Sequence, residues 1–394
     1  MLAAAAMKVA MLTTVGERCG IAAYTRALIA GLKTLPDTEI EVVPITEGRQ
    51  PTAHYVEQAE LLNAAYVDVV HIQHEYSFWG GVLPRTSSYW EMRYLIQKPV
   101  VLTAHTTYDL ADLLKLRTER RPHKWLAKQW LVHNRAYRES IESAPFVTAF
   151  TIVHTEAARQ ALIARGAKPA YVVVVPAGIP EPLPAPAGGQ AFRQRFGLEG
   201  RRAVTLFGYL SWNKGYELTL EILPALPDDV VFVIAGGART DEMAPYEAKL
   251  REAIARSGLE KRVILTGFLS DEDVSEAMAA SEIVLVPHTQ ATGSYSVTIP
   301  LSHGKPILAS DLDCFREIEE REDCLELFKA GDAADYRAKL LALLDNPARR
   351  TMLSTNALKY ARRFSWPNVA ARTRDVYEAA IEIYSRGHHT HAPL

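Results

Sequence analysis

The sequence predicts two α/β domains, each a parallel sheet wrapped by helices in the Rossmann manner, and three observations carry that prediction. The chain has 394 residues, beyond the ~250–300 at which a single core stops growing. Short β-branched runs alternate with longer helical patterns, the rhythm of a parallel sheet. A stretch rich in proline and glycine interrupts the rhythm near the middle, and the same rhythm restarts after it.

In the first half, residues 8–13, 41–45, 67–73, 99–104, 149–153 and 170–175 read as strands, with helical patterns such as 22–32 and 124–143 between them. Runs like Val69-Val70 and Val172-Val173-Val174-Val175 are apolar on both faces, as strands covered on two sides must be. Pro180, Pro182, Pro184 and Pro186 followed by Gly188-Gly189 then make a linker, since such proline density prevents a helix. Beyond it, residues 203–208, 230–235, 263–266, 283–286 and 306–309 read as strands. The expected division is 1–182 and 183–366, with the two sheets facing a central cleft.

Composition narrows the function classes. Hydrophobic residues make up 48% and charged residues 23%, which is globular and not disordered. A formal charge of −2 supplies no overall field toward nucleic acid or membrane. Three scattered cysteines, Cys19, Cys314 and Cys324, form neither a disulfide framework nor a zinc-binding pattern, and fit a reducing, cytoplasmic setting. No apolar run reaches membrane-spanning length. The start, Met1 to Lys8, lacks the basic region of a signal peptide and reads as an upstream start ahead of Met7. His388, His389 and His391 read as a frayed tail.

Four segments carry candidate chemistry. The first strand leads through Gly16, Arg18 and Gly20 into an amphipathic helix bearing Tyr24, Leu28 and Leu32. A helix start of this kind suits an anion, although the spacing is not that of a dinucleotide fingerprint; a plain turn is the equal alternative. His71-Ile72-Gln73-His74-Glu75 and Thr103-Ala104-His105-Thr106 end two further strands, where ligands of parallel sheets bind. His74, Glu75 and His105 are therefore candidates, while His71 reads as a satisfied polar residue of the strand. Their separate loops lack metal-ligand spacing. In the second half, Gly208 to Gly215 forms a strand, turn and helix start with Lys214 in the turn, placed to neutralise a diphosphate. Finally Gly293-Ser294-Tyr295-Ser296 opens a helix where backbone amides and hydroxyls can meet a phosphate.

In order along nearly the whole chain, these segments resemble the family-4 retaining glycosyltransferases of GT-B fold. The resemblance is carried by Cys19-Gly20-Ile21, the strand ending in His105, Val174-Val175-Pro176-Ala177-Gly178-Ile179, Gly208 with Lys214-Gly215, Val263 to Phe268, Gly304-Lys305-Pro306 and Arg363-Phe364-Ser365-Trp366. It implies that 367–394 contains a helix crossing back to the first domain. It also implies that a nucleoside-diphosphate sugar is the donor substrate, with no further cofactor. Lys214 and the amides around Gly293, Ser294, Tyr295 and Ser296 would hold the diphosphate, helped by Arg18 and by close backbone approach at Gly20 and Gly208. His105 would contact the donor sugar, and His74 and Glu75 would lie toward a carbohydrate, lipid-linked or small-molecule acceptor. The family's E-x7-E pair is missing, its positions taken by Ala291 and Ile299, and Tyr209 stands where the family often has arginine.

No metal is expected, because Asp311-Leu312-Asp313 reads as a solvated acidic loop and Asp271-Glu272-Asp273 as a helix N-terminus. Residues 115–138 hold eight Lys/Arg and a single acid, Glu119, around Trp125 and Trp130. They read either as a peripheral contact with anionic lipid on the inner membrane face or as a buried Trp/Leu stripe with a solvated cationic face. Nucleic acid is not an expected partner. The competing functions are a GT-B sugar-nucleotide epimerase, a phosphorylase, or a catalytically silent sugar-nucleotide-binding subunit.

Overall fold

Twelve strands form two separate parallel sheets, six in each, among the described residues. The computed structural model describes residues 6–16, 19–80, 87–107, 126, 130, 150–164, 167–238, 244–291, 293 and 295–387. The chain divides into one unit of Met1–Gly178 with Trp366–Leu394 and a second of Ile179–Ser365.

In the first unit the strands are β1 (Met7–Thr13), β2 (Thr38–Pro44), β3 (Val69–His74), β4 (Val100–Ala104), β5 (Phe150–Val153) and β6 (Val172–Val174), ordered β2-β1-β3-β4-β5-β6. All of β3 and β4 is buried. Each such Val, Leu or Ile contributes about 1.5–3 kcal/mol on burial. β2 begins three residues earlier than its pattern suggests. It is an edge strand, half exposed, and its Thr38-Glu39-Ile40-Glu41 alternation hides the signal of a buried run. Pro169 opens a short 3-10 turn, Pro169–Tyr171, which trims the last strand to three valines. Of the stretch 115–138 only Leu126 and Trp130 are among the described residues; both are helical and exposed, at 61% and 65%.

The helix Trp366–Ser385 belongs to this first unit, where it packs on the helix Gly20–Leu32 and on β3 and β4. Its buried face is Trp366, Val369, Ala370, Thr373, Val376, Tyr377 and Ala380, the 3–4-residue spacing of an amphipathic helix. Small residues allow close approach: a Cβ on Gly31 would lie 2.9 Å from the Trp366 carbonyl oxygen and 3.0 Å from the Ala370 Cβ. Gly178 is packed still harder, since a Cβ there would lie 2.4 Å from Cδ2 of the Trp366 ring.

In the second unit the strands are β7 (Arg202–Phe207), β8 (Val230–Ala235), β9 (Val263–Gly267), β10 (Ile283–Val286), β11 (Ile307–Ser310) and β12 (Glu326–Phe328), ordered β12-β11-β10-β7-β8-β9. The sequence pattern does not announce β12, which has only three residues at the sheet edge. The proline-rich segment ahead of β7 is irregular, and its end is tied to the second unit: Glu276 accepts from the Gly189 N–H at 2.8 Å and the Ala187 N–H at 3.3 Å. Asp271-Glu272-Asp273 is the first turn of the helix Asp271–Ala280, capped by Ser270 accepting from the Asp273 N–H at 3.1 Å.

Candidate functional site

Parallel sheets bind ligands beyond the carboxyl ends of their strands, where the strand order reverses direction. In the second unit that point lies between β7 and β10, and several candidate residues gather there. β7 ends at Phe207, and the chain turns at Gly208 with φ +113°. Trp212–Lys214 is a short 3-10 turn closed by Gly215 in the left-handed region, φ +73°. A Cβ on Gly215 would sit 1.9 Å from the Pro287 carbonyl oxygen, so only glycine lets the β7 loop press against the end of β10. Asn213 reinforces that closure, its carbonyl accepting from the Thr289 N–H at 2.8 Å and its amide donating to the Gln290 carbonyl at 2.9 Å.

The closure holds Lys214 under the end of its own strand. Its ammonium donates to the Phe207 carbonyl at 3.1 Å and to Ser296 Oγ at 3.4 Å. Ser296 lies in the 3-10 turn Tyr295–Val297 ahead of the helix Thr298–Ser302. Burial lowers the Lys214 pKa to about 8, so the amine stays protonated at neutral pH. Among the described residues no carboxylate pairs with it. A buried cation held by two neutral oxygens is electrostatically incomplete and suits an anion. An added Cβ at Gly208 would lie 2.4 Å from the Lys214 Nζ. Gly208→Ala is expected to displace the amine and lower affinity for a nucleoside diphosphate about tenfold with Lys214 intact; the φ of +113° strains any residue with a Cβ, so the melting temperature should fall as well, and calorimetry with circular dichroism checks both.

Gly293 is exposed, and a Cβ added there would meet nothing within 4 Å. Arg18 and Ser294 lie outside the described residues. Tyr209 stacks on Phe268, centroids 6.3 Å apart. Ala291 and Ile299 pack against an apolar cluster that includes Val286, Cys314 and Phe315. Asp311 and Asp313 are engaged by one guanidinium, each 2.9 Å from Arg316, and Asp311 also accepts from the Ala330 N–H at 2.8 Å.

The corresponding reversal in the first unit falls between β1 and β3. Gly20 is the first residue of the helix that follows β1, and a Cβ there meets nothing within 4 Å. His74, at the end of β3, is buried edge-on to the rings of Tyr76 and Tyr89, each 5.0 Å away. Burial pushes its pKa down to about 3, so it is a neutral ring. Glu75 ties two strand ends together: it accepts from the Tyr76 N–H at 3.0 Å and from the Thr106 hydroxyl. Burial raises its pKa, against the lowering effect of those bonds.

His105 belongs to a chain of neutral polar groups that the sequence does not single out. Gln73 Oε1 faces His105 Nε2 at 2.8 Å, while the Gln73 amide nitrogen faces Met11 Sδ at 3.3 Å and His71 Nε2 at 3.2 Å. His71 continues to Tyr377 Oη at 2.6 Å and Thr103 Oγ1 at 2.7 Å. Burial, then the neighbouring histidines, push the His105 pKa well below its ordinary value. The rings of Tyr24, His105 and His154 lie 4.9–5.5 Å apart, with Trp366 5.0 Å from Tyr24. Gln73, Tyr24 and His154 are legible in the sequence only as strand and helix residues, because nothing in the linear pattern brings positions 24, 73, 105 and 154 together.

Two family descriptions match consecutive parts of the chain: Glycosyltransferase Family 4 over residues 23–181 and Glycosyl transferases group 1 over residues 190–360. The phosphatidyl-myo-inositol mannosyltransferase of Mycobacterium leprae is 30% identical over 191 residues, 48% of this chain and 49% of that protein. A D-inositol 3-phosphate glycosyltransferase of Xylanimonas cellulosilytica is 29% identical over 218 residues, 53% of this chain and 51% of its own length. The chain thus spans about half the length of these curated relatives. Among solved structures, Anabaena HepE in complex with UDP-glucose matches with a TM-score of 0.71 at 18% identity, covering 95% of this chain and 100% of that one. A glycosyltransferase of Rickettsia africae matches with a TM-score of 0.75 at 13% identity, over 96% and 99% of the two chains. At such identities the structural likeness is one of fold.

Proposed function

Because this chain belongs to the family-4 glycosyltransferases, group 1, of GT-B fold, we propose that it moves a sugar from a nucleoside-diphosphate sugar to a hydroxyl-bearing acceptor, with retention and without a metal. The observation that carries the reading is Lys214: a buried ammonium at the reversal point of the second sheet, held by Phe207 and Ser296 and lacking a carboxylate partner among the described residues. In this reading its charge stabilises the negative charge that grows on the departing diphosphate, the kind of electrostatic contribution that is usually the largest single one in catalysis. UDP-glucose bound to the structurally similar Anabaena protein supports a donor of this class.

In the transfer the bond between the anomeric carbon and the diphosphate oxygen breaks as the acceptor oxygen bonds to the same carbon. The acceptor proton passes to the departing phosphate oxygen on the same face, which accounts for retention without a protein nucleophile. His105 is suited to contact the sugar and not to act as the base, because its pKa is driven well down by burial and its Nε2 is engaged by Gln73. Asp311 and Asp313 are already engaged by Arg316, which supports a site that uses Lys214 in place of a divalent cation.

A silent binding subunit is the second reading, favoured by the apolar packing of Ala291 and Ile299 where the family carries glutamates. One experiment separates the two. Nucleoside diphosphate release from a panel of sugar nucleotides, with and without acceptors, should be detectable and should survive EDTA. Loss of activity restored by manganese or magnesium would overturn metal independence; tight binding with no release on any acceptor would favour the silent subunit.

A further inference from the structure

The proton order around His105 is set from two strands away, by a sulfur. Gln73 is fully buried on β3, between Met11 of β1 and His105 at the end of β4. Its amide nitrogen lies 3.3 Å from Met11 Sδ and 3.2 Å from His71 Nε2, and its oxygen lies 2.8 Å from His105 Nε2. Burial keeps both rings neutral, lowering the His71 pKa to about 3 and the His105 pKa well below its ordinary value. Each ring therefore carries one proton and one lone pair.

A thioether sulfur only accepts, so the amide nitrogen belongs on the Met11 side. The oxygen opposite it only accepts as well, which puts the His105 proton on Nε2. Toward His71 the amide N–H needs a lone pair on Nε2, so the His71 proton sits on Nδ1 and is donated to Tyr377 Oη at 2.6 Å. The Thr103 hydroxyl, 2.7 Å from His71 Nε2, donates to the same lone pair. The two rings thus hold opposite tautomers. Turning the amide over would reverse both and set a carbonyl oxygen against the sulfur. We propose that Gln73 is a positioning residue: oriented by Met11, it fixes His105 as the Nε2–H tautomer and leaves Nδ1 as the ring's single acceptor. The assignment rests on the glycosyltransferase reading only for what that acceptor meets. In that reaction a ring held this way can accept from a hydroxyl but cannot pass a proton to the departing oxygen, because its one proton is held by Gln73.

The test is the imidazole nitrogen NMR spectrum of the ligand-free full chain with isotopically labelled histidine, in which protonated and bare ring nitrogens are well separated. His105→Asn and His71→Asn assign the two sets of signals by their loss. The wild type should show His105 as Nε2–H and His71 as Nδ1–H. Gln73→Leu, which keeps the bulk, should leave His105 as a mixture of tautomers; Gln73→Glu, which keeps an acceptor toward the ring, should hold it as Nε2–H. Met11→Leu removes the sulfur and lets the amide turn, so both rings should gain the reversed form, and this variant decides the matter should Gln73→Leu fail to fold. Release of nucleoside diphosphate from UDP-glucose, GDP-mannose and ADP-glucose gives a second readout. On whichever is turned over, Gln73→Leu should lower kcat/KM roughly three- to tenfold, the effect of one lost hydrogen bond, and leave affinity for the nucleoside diphosphate unchanged. His105 found as Nδ1–H in the wild type, or a tautomer that neither leucine variant disturbs, would overturn the assignment. No turnover of any sugar nucleotide would count against the proposed function, and the imidazole spectrum would still decide the role of Gln73.

Discussion

Replacing Lys214 with methionine should raise the melting temperature of the ligand-free chain while lowering its affinity for a nucleoside diphosphate roughly 10- to 150-fold. The affinity loss follows from removing a charge-assisted contact worth about 1.5–3 kcal/mol. The stability gain follows from burial. The amine is held at about 8, below its ordinary 10.5, so between those values the unfolded chain binds more protons than the folded one. Stability contributed by this group therefore rises with pH from 8 to 10.5. At neutral pH the folded state carries a penalty of about 3 kcal/mol. Methionine fills much of the same volume without the charge, so a rise of roughly 3–10 °C is expected by calorimetric scanning. The wild-type protein should also lose diphosphate affinity as pH climbs through 8, and the variant should not. A variant that melts lower and binds normally would remove Lys214 from the site.

Trp366→Ala should cost about 3–5 kcal/mol, the usual toll for emptying a large buried aromatic position. The ring is buried, packs against Gly178, and meets Tyr24 edge-on at 5.0 Å. Gly178→Val should do comparable damage from the other side, because even a Cβ would overlap the ring. Hydrogen exchange measured segment by segment should show protection lost in β3, β4 and the helix Gly20–Leu32, with Ile179–Ser365 little changed. Equal loss in both units would mean that the indole is not specific to the first unit's core.

Much of this molecule is legible in its sequence, for physical reasons. Strands buried on both faces, such as β3 and β8, announce themselves as unbroken apolar runs, and Lys214 is visible because a cation in a glycine-flanked turn has few structural uses. Edge strands are harder: β2 alternates polar and apolar residues, and β12 has only three residues. The Gln73–His71–Tyr377 connection cannot be read at all, since it joins side chains whose partners are set by strand order and by a helix at the far end of the chain. The same holds for His154, whose partner is the Val175 carbonyl across the sheet.

That far-end helix also sets the order in which the protein is completed during synthesis. His71 and its partner Tyr377 are separated by 306 positions, so at ~5–20 residues per second the strand waits roughly 15–60 s for the helix that covers it. The second unit, Ile179–Ser365, has all its strands in one continuous stretch and is synthesised entire before Trp366 is added. The half of the protein that leaves the ribosome first is thus the half that finishes last, and a nascent chain stalled before Trp366 would present β3 and β4 with one apolar face bare to chaperones and proteases.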